Sequence, residues 1–254
     1  MEYFDSHAHY DDAKFDIDRD EILSIMQQNS VSNIINAGTN IKTSKISIEL
    51  ANKYDFIYAA IGIHPENVFE NESVDDIKAL YSPNKKIVAI GEIGLDYYYD
   101  TSNKDIQKKY FVSQLNLANE LNLPVIIHDR DAHGDTLDIL KNTPLDKKGV
   151  LHCYSGSLES AKIILNLGFY LGFGGTLTFN NAKSVPEVLK YAPLDRILIE
   201  TDSPYLAPNP YRGKRNNSMY LKYVVEKIAE LKNISEEEIS EITKNNAKKL
   251  FGIS

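Results

Sequence analysis

The sequence predicts a single α/β domain, residues 1–254, folded as a (β/α)8 TIM-type barrel. Eight short apolar runs alternate with amphipathic stretches from one end to the other. The 254 residues match that rhythm, since such barrels take about 250. A doubly wound open sheet would carry a glycine-rich phosphate turn after its first strand. Here that place reads Tyr10-Asp11-Asp12, which is acidic.

In chain order, residues 2–9, 32–37, 57–64, 87–94, 125–129, 150–154, 169–174 and 197–202 read as strands, each short, apolar and bounded by polar residues. The clearest helices between them span 104–122, 157–167 and 182–190. In the first of these Ile106, Tyr110, Leu115, Leu117 and Ala118 recur at helical spacing, and Pro124 follows its end. Two more helices, 219–231 and 235–250, close the chain. Ser235 followed by Glu238 forms a capping-box pattern for the last one. No linker rich in proline, glycine or serine divides the chain, and no internal repeat stands out.

Hydrophobic residues make up 43% and charged residues 25%, ordinary globular usage. No run reaches the roughly 18 apolar residues of a membrane span, and the first segment lacks the pattern of a secretory signal. The one cysteine, Cys153, has no intramolecular disulfide partner. Together these features fit a cytoplasmic protein with no membrane and no obligate protein partner. A net charge of −8 argues against a broad basic surface for nucleic acid. It leaves room for phosphate chemistry through bound metal, whose local charge dominates its site.

The rare residues carry the functional reading. Of six histidines, His7 and His9 end the first run, His64 the third and His128 the fifth, and His152 lies in the sixth. Glu92 sits late in the fourth and Asp202 ends the eighth. His133 alone falls elsewhere, at the start of a helix. In a parallel barrel all of these strand ends open onto one rim, where active sites of this fold are built. Imidazole and carboxylate suit zinc, manganese and related divalent ions. Residues i and i+2 of a strand point the same way, so both histidines of the His7-Ala8-His9 pair can face inward. The set exceeds what one tetrahedral ion needs, which points to paired metals and hydrolysis.

Other features are less specific. No serine sits in a GxSxG elbow, which counts against a serine hydrolase. If His152 faces inward, Cys153 packs outward as a small hydrophobe. The tyrosines at 97–100 read either as a base-stacking platform or as a loop covering the barrel. The basic loop at 210–216 reads either as a phosphate site or as solvated surface.

The motifs FDSHAH, GIHPE, GEIGLDYY, PVIIHDRDA, LHCYSG, ETDSPYLAP and the RGKRN loop occur in order along the chain. In this the sequence resembles the TatD-type metal-dependent deoxyribonucleases of the amidohydrolase superfamily. The resemblance implies a barrel with two divalent ions (Mg, Mn or Zn) and hydrolysis of phosphodiester bonds in DNA, by a 3′–5′ exonuclease. It implies His7, His9 and Asp202 around one ion, His128 and His152 around the other, and Glu92 shared. Asp202 would also be the general base, His64 a contact to the scissile phosphate, and Arg130 and Arg212 contacts to neighbouring phosphates. The acidic balance favours a groove for single strands or free ends. An amidohydrolase acting on an amide or ester, such as an aminoacyl ester, is the alternative, since fold and metal set do not fix the substrate.

Overall fold

A computed structural model describes residues 1–69, 72–83, 86–99 and 102–254. The apolar runs become strands β1 (Tyr3–Ala8), β2 (Val31–Ala37), β3 (Ile57–Ile61), β4 (Ile87–Asp96), β5 (Val125–Arg130), β6 (Gly149–Leu151), β7 (Tyr170–Phe173) and β8 (Ile197–Ile199). They pair in parallel and in chain order, and both faces are buried, as continuous apolar runs require. The two ends of the sheet meet where the Asp202 N–H donates to the His7 carbonyl at 2.9 Å and the His9 N–H to the Ser203 carbonyl at 2.7 Å. The result is a nearly closed (β/α)8 barrel.

Helices α1 (Arg19–Ser24), α2 (Ile41–Lys53), α3 (Val74–Leu80), α4 (Lys104–Leu121), α5 (His133–Asn142), α6 (Leu158–Asn166), α7 (Ser184–Tyr191), α8 (Leu221–Lys232) and α9 (Glu236–Phe251) surround the sheet. Each buries one stripe; in α4 the covered positions Gln107, Phe111, Gln114, Leu115 and Ala118 recur every three or four residues. Asn122 ends α4 in the left-handed conformation, at φ 53°. Ser235 caps α9, its hydroxyl accepting the Glu238 N–H at 3.2 Å.

Outward-facing Ile90, Ile93, Val125 and Ile127 pack with Phe111, Leu115, Ile164 and Ile228 of the helices. Inward-facing Phe4, Val88, Ile126, Val150, Tyr170 and Leu198 form a second core with Ala247 and Phe251 of α9. The Phe4 and Phe251 rings stack with centroids 6.4 Å apart. Helix α9 therefore stoppers the N-terminal mouth, and the polar residues gather at the other. Among the described residues no helix is long and apolar enough to cross a membrane.

Two departures from regular strands bear on that polar mouth. From Asp5 to Ala8 β1 uses three steps where β2 uses two, and β4 does the same between Ile90 and Ile93 against β5. Such bulges re-aim side chains, here those of His7 and Glu92. Several strands also stop short of the expected ends: β3 at Ile61, β6 at Leu151 and β8 at Ile199. The backbone leaves the ladder there, so His64, His152 and Asp202 stand on turns over the barrel mouth. Asp202 adopts φ 55°, a left-handed conformation that aspartate tolerates better than most residues.

Candidate metal centre

Seven side chains expected to gather do so. The Nε2 atoms of His7 and His9 lie 3.0 Å apart, and Asp202 Oδ1 is 3.6 and 3.4 Å from them. Glu92 lies between two groups of nitrogens. Its Oε2 is 3.3 Å from His7 Nε2 and 3.4 Å from His9 Nε2. Its Oε1 is 2.8 Å from His152 Nε2, 2.9 Å from His128 Nδ1 and 3.5 Å from His64 Nε2. Three overlapping triads could each hold an ion: His7–His9–Asp202, His7–Glu92–His152 and His64–Glu92–His128. The structure thus sets His64, expected to meet phosphate, against the same Glu92 oxygen as His128 and His152.

The spacing fits cations. An ion bonded at about 2.0–2.2 Å needs neighbouring donor atoms about 2.8–3.6 Å apart. Hydrogen bonding alone serves the cluster poorly: His7 Nε2 faces His9 Nε2, Glu92 and Asp202, and can carry only one proton. Nor does lysine or arginine form an ion pair with these buried acids: among the described residues, the ion-pair partners of Glu92, Asp202 and Asp96 are all histidines.

Without a cation the balance falls to protons. Burial alone would raise the Glu92 carboxyl, but His152, His64, His7 and His128 hold it well below the usual carboxylate range. Burial likewise opposes the charged forms of His9 and His152. For His9, bonds to Asp202 and Glu92 outweigh it, and for His152 the Glu92 and Glu200 carboxylates do; both imidazoles rise well above the usual range. His128 rises to about 9, its bonds to Asp96 and Glu92 overcoming burial. Burial and neighbouring histidines push His7 and His64 down. A divalent ion would replace those protons, as ligand deprotonation requires.

Supporting contacts orient the rings. His9 Nδ1 lies 2.8 Å from the Ala37 carbonyl, which can only accept, so this nitrogen carries a hydrogen and Nε2 is the one a cation would take once its proton leaves. Asp96 Oδ2 lies 2.9 Å from His128 Nε2. Glu200, fully buried, accepts the Cys153 N–H at 2.5 Å, and its Oε1 lies 3.5 Å from His152 Nδ1. Gly172 makes room for that carboxylate, since a Cβ there would stand 2.4 Å from Glu200 Oε2. Buried Asp5 accepts the Thr201 hydroxyl and the Ser218 hydroxyl, both at 2.6 Å, and the Thr201 N–H at 3.0 Å. It also accepts the His7 N–H at 3.3 Å, and so holds both His7 and Thr201, the residue before Asp202. Sequence reasoning passed over Asp96, Glu200 and Asp5. Strand alternation could have found Asp96, which lies four residues beyond Glu92 in β4.

The remaining candidates lie around the rim. The Arg130 guanidinium stands 3.6 Å from the Tyr98 ring centre, and the Arg212 guanidinium 4.3 Å from that of Phe179. In the basic loop Arg215 is committed to Asp18 at 2.8 and 2.5 Å, whereas Arg212 and Lys214 are exposed. Of the 97–100 stretch, Asp100 lies outside the described residues. His133 begins α5 and pairs with Asp129 at 2.7 Å, away from the cluster. The outward packing expected for Cys153 is corrected: β6 has ended at Leu151, so strand alternation no longer applies. Cys153 is half-buried at φ 42°, with its N–H on Glu200. Burial and the Glu200 and Asp202 carboxylates push its thiol well up, which disarms it as a nucleophile.

Comparison with known proteins agrees with this geometry. A family profile described as TatD related DNase matches residues 4–252. The chain is 48% identical to the uncharacterized metal-dependent hydrolase YabD of Bacillus subtilis, over 99% of both chains. It is 39% identical to the uncharacterized metal-dependent hydrolase YcfH of Escherichia coli K12, over 98% of this chain and 95% of that one. The crystal structure of YjjV, a TatD homolog from Escherichia coli K12, superposes with a TM-score of 0.93 at 34% identity, covering 99% of this chain and 98% of the other. With its histidines and acids gathered at one barrel mouth, the chain belongs to the TatD family of metal-dependent hydrolases.

Proposed function

We propose that the chain hydrolyses phosphodiester bonds in DNA, as a 3′–5′ exonuclease acting on single strands or free ends with two divalent ions. The observation that carries this reading is the division of Glu92 between two groups of nitrogens, one oxygen toward each. His7, His9 and Asp202 would hold one ion and His128 and His152 the other, with His64 in reach of the second. When bound, such ions polarise a phosphoryl oxygen and supply hydroxide near neutral pH. The donor set of imidazole and carboxylate suits zinc or manganese, with magnesium the carboxylate-leaning choice.

Asp202 is the more accessible acid of the pair, its side chain 16% exposed against 4% for Glu92. Burial would raise its carboxyl, but the bond to His9 and the charges of His152 and His7 hold it below the usual range. Ionised and within reach of solvent, it can take the proton of the attacking water. Arg130 and Arg212 offer fixed positive charge to neighbouring phosphates. The DNase description of the family supports DNA over other phosphodiesters, and the net charge of −8 supports a narrow site rather than a duplex-binding face.

Incubation with Mg²⁺ or Mn²⁺ and end-labelled single-stranded DNA, duplex DNA and an amide and ester panel tests the reading. Stepwise shortening of the single strand from its 3′ end is expected. Rapid turnover of an amide or ester with DNA left intact would overturn it in favour of the amidohydrolase alternative.

A further inference from the structure

We propose that Tyr98, Tyr99 and Arg130 form a subsite that stacks an unpaired nucleobase beside the scissile phosphate, an inference that rests on the nuclease reading above. The two tyrosines follow β4 at the C-terminal mouth and are 55% and 73% exposed. Their rings meet edge to face, with centroids 4.7 Å apart. Arg130, the last residue of β5, lies across the Tyr98 ring at 3.6 Å and reaches Tyr99 at 5.2 Å. Among the described residues it forms no ion pair with a carboxylate.

The cluster is fastened to the candidate metal ligands. The Tyr98 N–H donates to Asp96 Oδ1 at 2.9 Å, and the other oxygen of that carboxylate lies 2.9 Å from His128 Nε2. The Tyr97 N–H donates to the Arg130 carbonyl at 2.9 Å, continuing the β4–β5 ladder under the rings. On β5, Arg130 is two residues beyond His128 and so shares its inward face. A loop that merely covered the barrel would bury its rings, whereas these stand open. An exposed cation–π contact stabilises a fold only weakly, which leaves the arrangement unexplained by folding. Aromatic rings with an arginine plane are what single-stranded nucleic acid uses for its bases. Only an unpaired base can enter, so the subsite also accounts for the strand preference. A protein partner on the same patch would leave DNA kinetics unmoved.

The test compares an end-labelled oligodeoxynucleotide carrying normal bases with one carrying abasic residues near its 3′ end. Tyr99→Ala, which removes an exposed ring and leaves the core intact, is expected to raise KM for the normal strand about 5- to 150-fold, with little change in kcat. Tyr99→Phe, which keeps the ring, is expected to recover most of that loss. On the abasic strand wild type and Tyr99→Ala should converge. An unchanged KM in Tyr99→Ala, or equal losses on both strands, overturns the subsite while leaving the nuclease reading in place. A wild-type protein that cleaves neither strand removes both.

Discussion

Glu92 meets five imidazoles through two oxygens, and burying it as an anion is costly unless positive charge is close. That charge must come from protons or metal, because no lysine or arginine pairs with it among the described residues. Asp202 carries a different load. In the role proposed for it, as the base that receives the proton of water, its change to asparagine is expected to cost about 10²- to 10⁴-fold in kcat, with the fold retained. A tenth of the wild-type rate remaining would remove it from that role. Glu200 supports His152 from behind, and second carboxylates of this kind typically set 10- to 100-fold of metal affinity. Titration of Glu200→Gln with Mn²⁺ should show a loss of about that size; wild-type affinity would make Glu200 merely a partner of the Cys153 N–H.

At the scale of elements, the pairing of β4 with β5 decides where His128 stands. A Cβ on Gly94, at φ 144°, would lie 2.0 Å from the His128 carbonyl. Gly94→Ala is therefore expected to push the two strands apart, lowering both the melting temperature and the metal content, which calorimetry and metal analysis would record together. The basic loop at 210–216 is held by Arg215, whose hydrogen bonds keep the Asp18 carboxyl below its usual range. Because the folded value lies below the unfolded one, this contribution is present above the ordinary aspartate range and fades as pH falls through it. Protection of the loop amides against hydrogen exchange, relative to their intrinsic rates, should fall below about pH 4 and should already be low in Asp18→Asn at neutral pH. Strand order and helix positions were legible because both faces of each strand are apolar and the helices are amphipathic. The ends of β3, β6 and β8 were not, because apolar residues continue past the point where the backbone turns over the mouth. Cys153 was misplaced for that reason, and the bulge in β1, which sends Asp5 outward and His7 inward, leaves no mark in the alternation.

In the molecule as a whole, one mouth is plugged and the other is polar. Phe251 of α9 closes the plugged end against Phe4, and Phe251→Ala is expected to cost about 3–5 kcal/mol in chemical denaturation, with the metal site spared in the protein that remains folded. The polar mouth could be read from the sequence because histidine is rare in the chain and five of the six fall late in the apolar runs or just past them. The proposed metal centre draws its residues from six different strands and their turns, so removal of bound ions should loosen the whole barrel rather than one loop. A paired-metal site here requires Glu92 to be shared. Metal analysis of purified wild type and Glu92→Gln, both refolded in excess Mn²⁺ and desalted, measures this directly. A shared Glu92 predicts two ions per wild-type chain and one or none in the variant, and an equal metal content in the two proteins would contradict it.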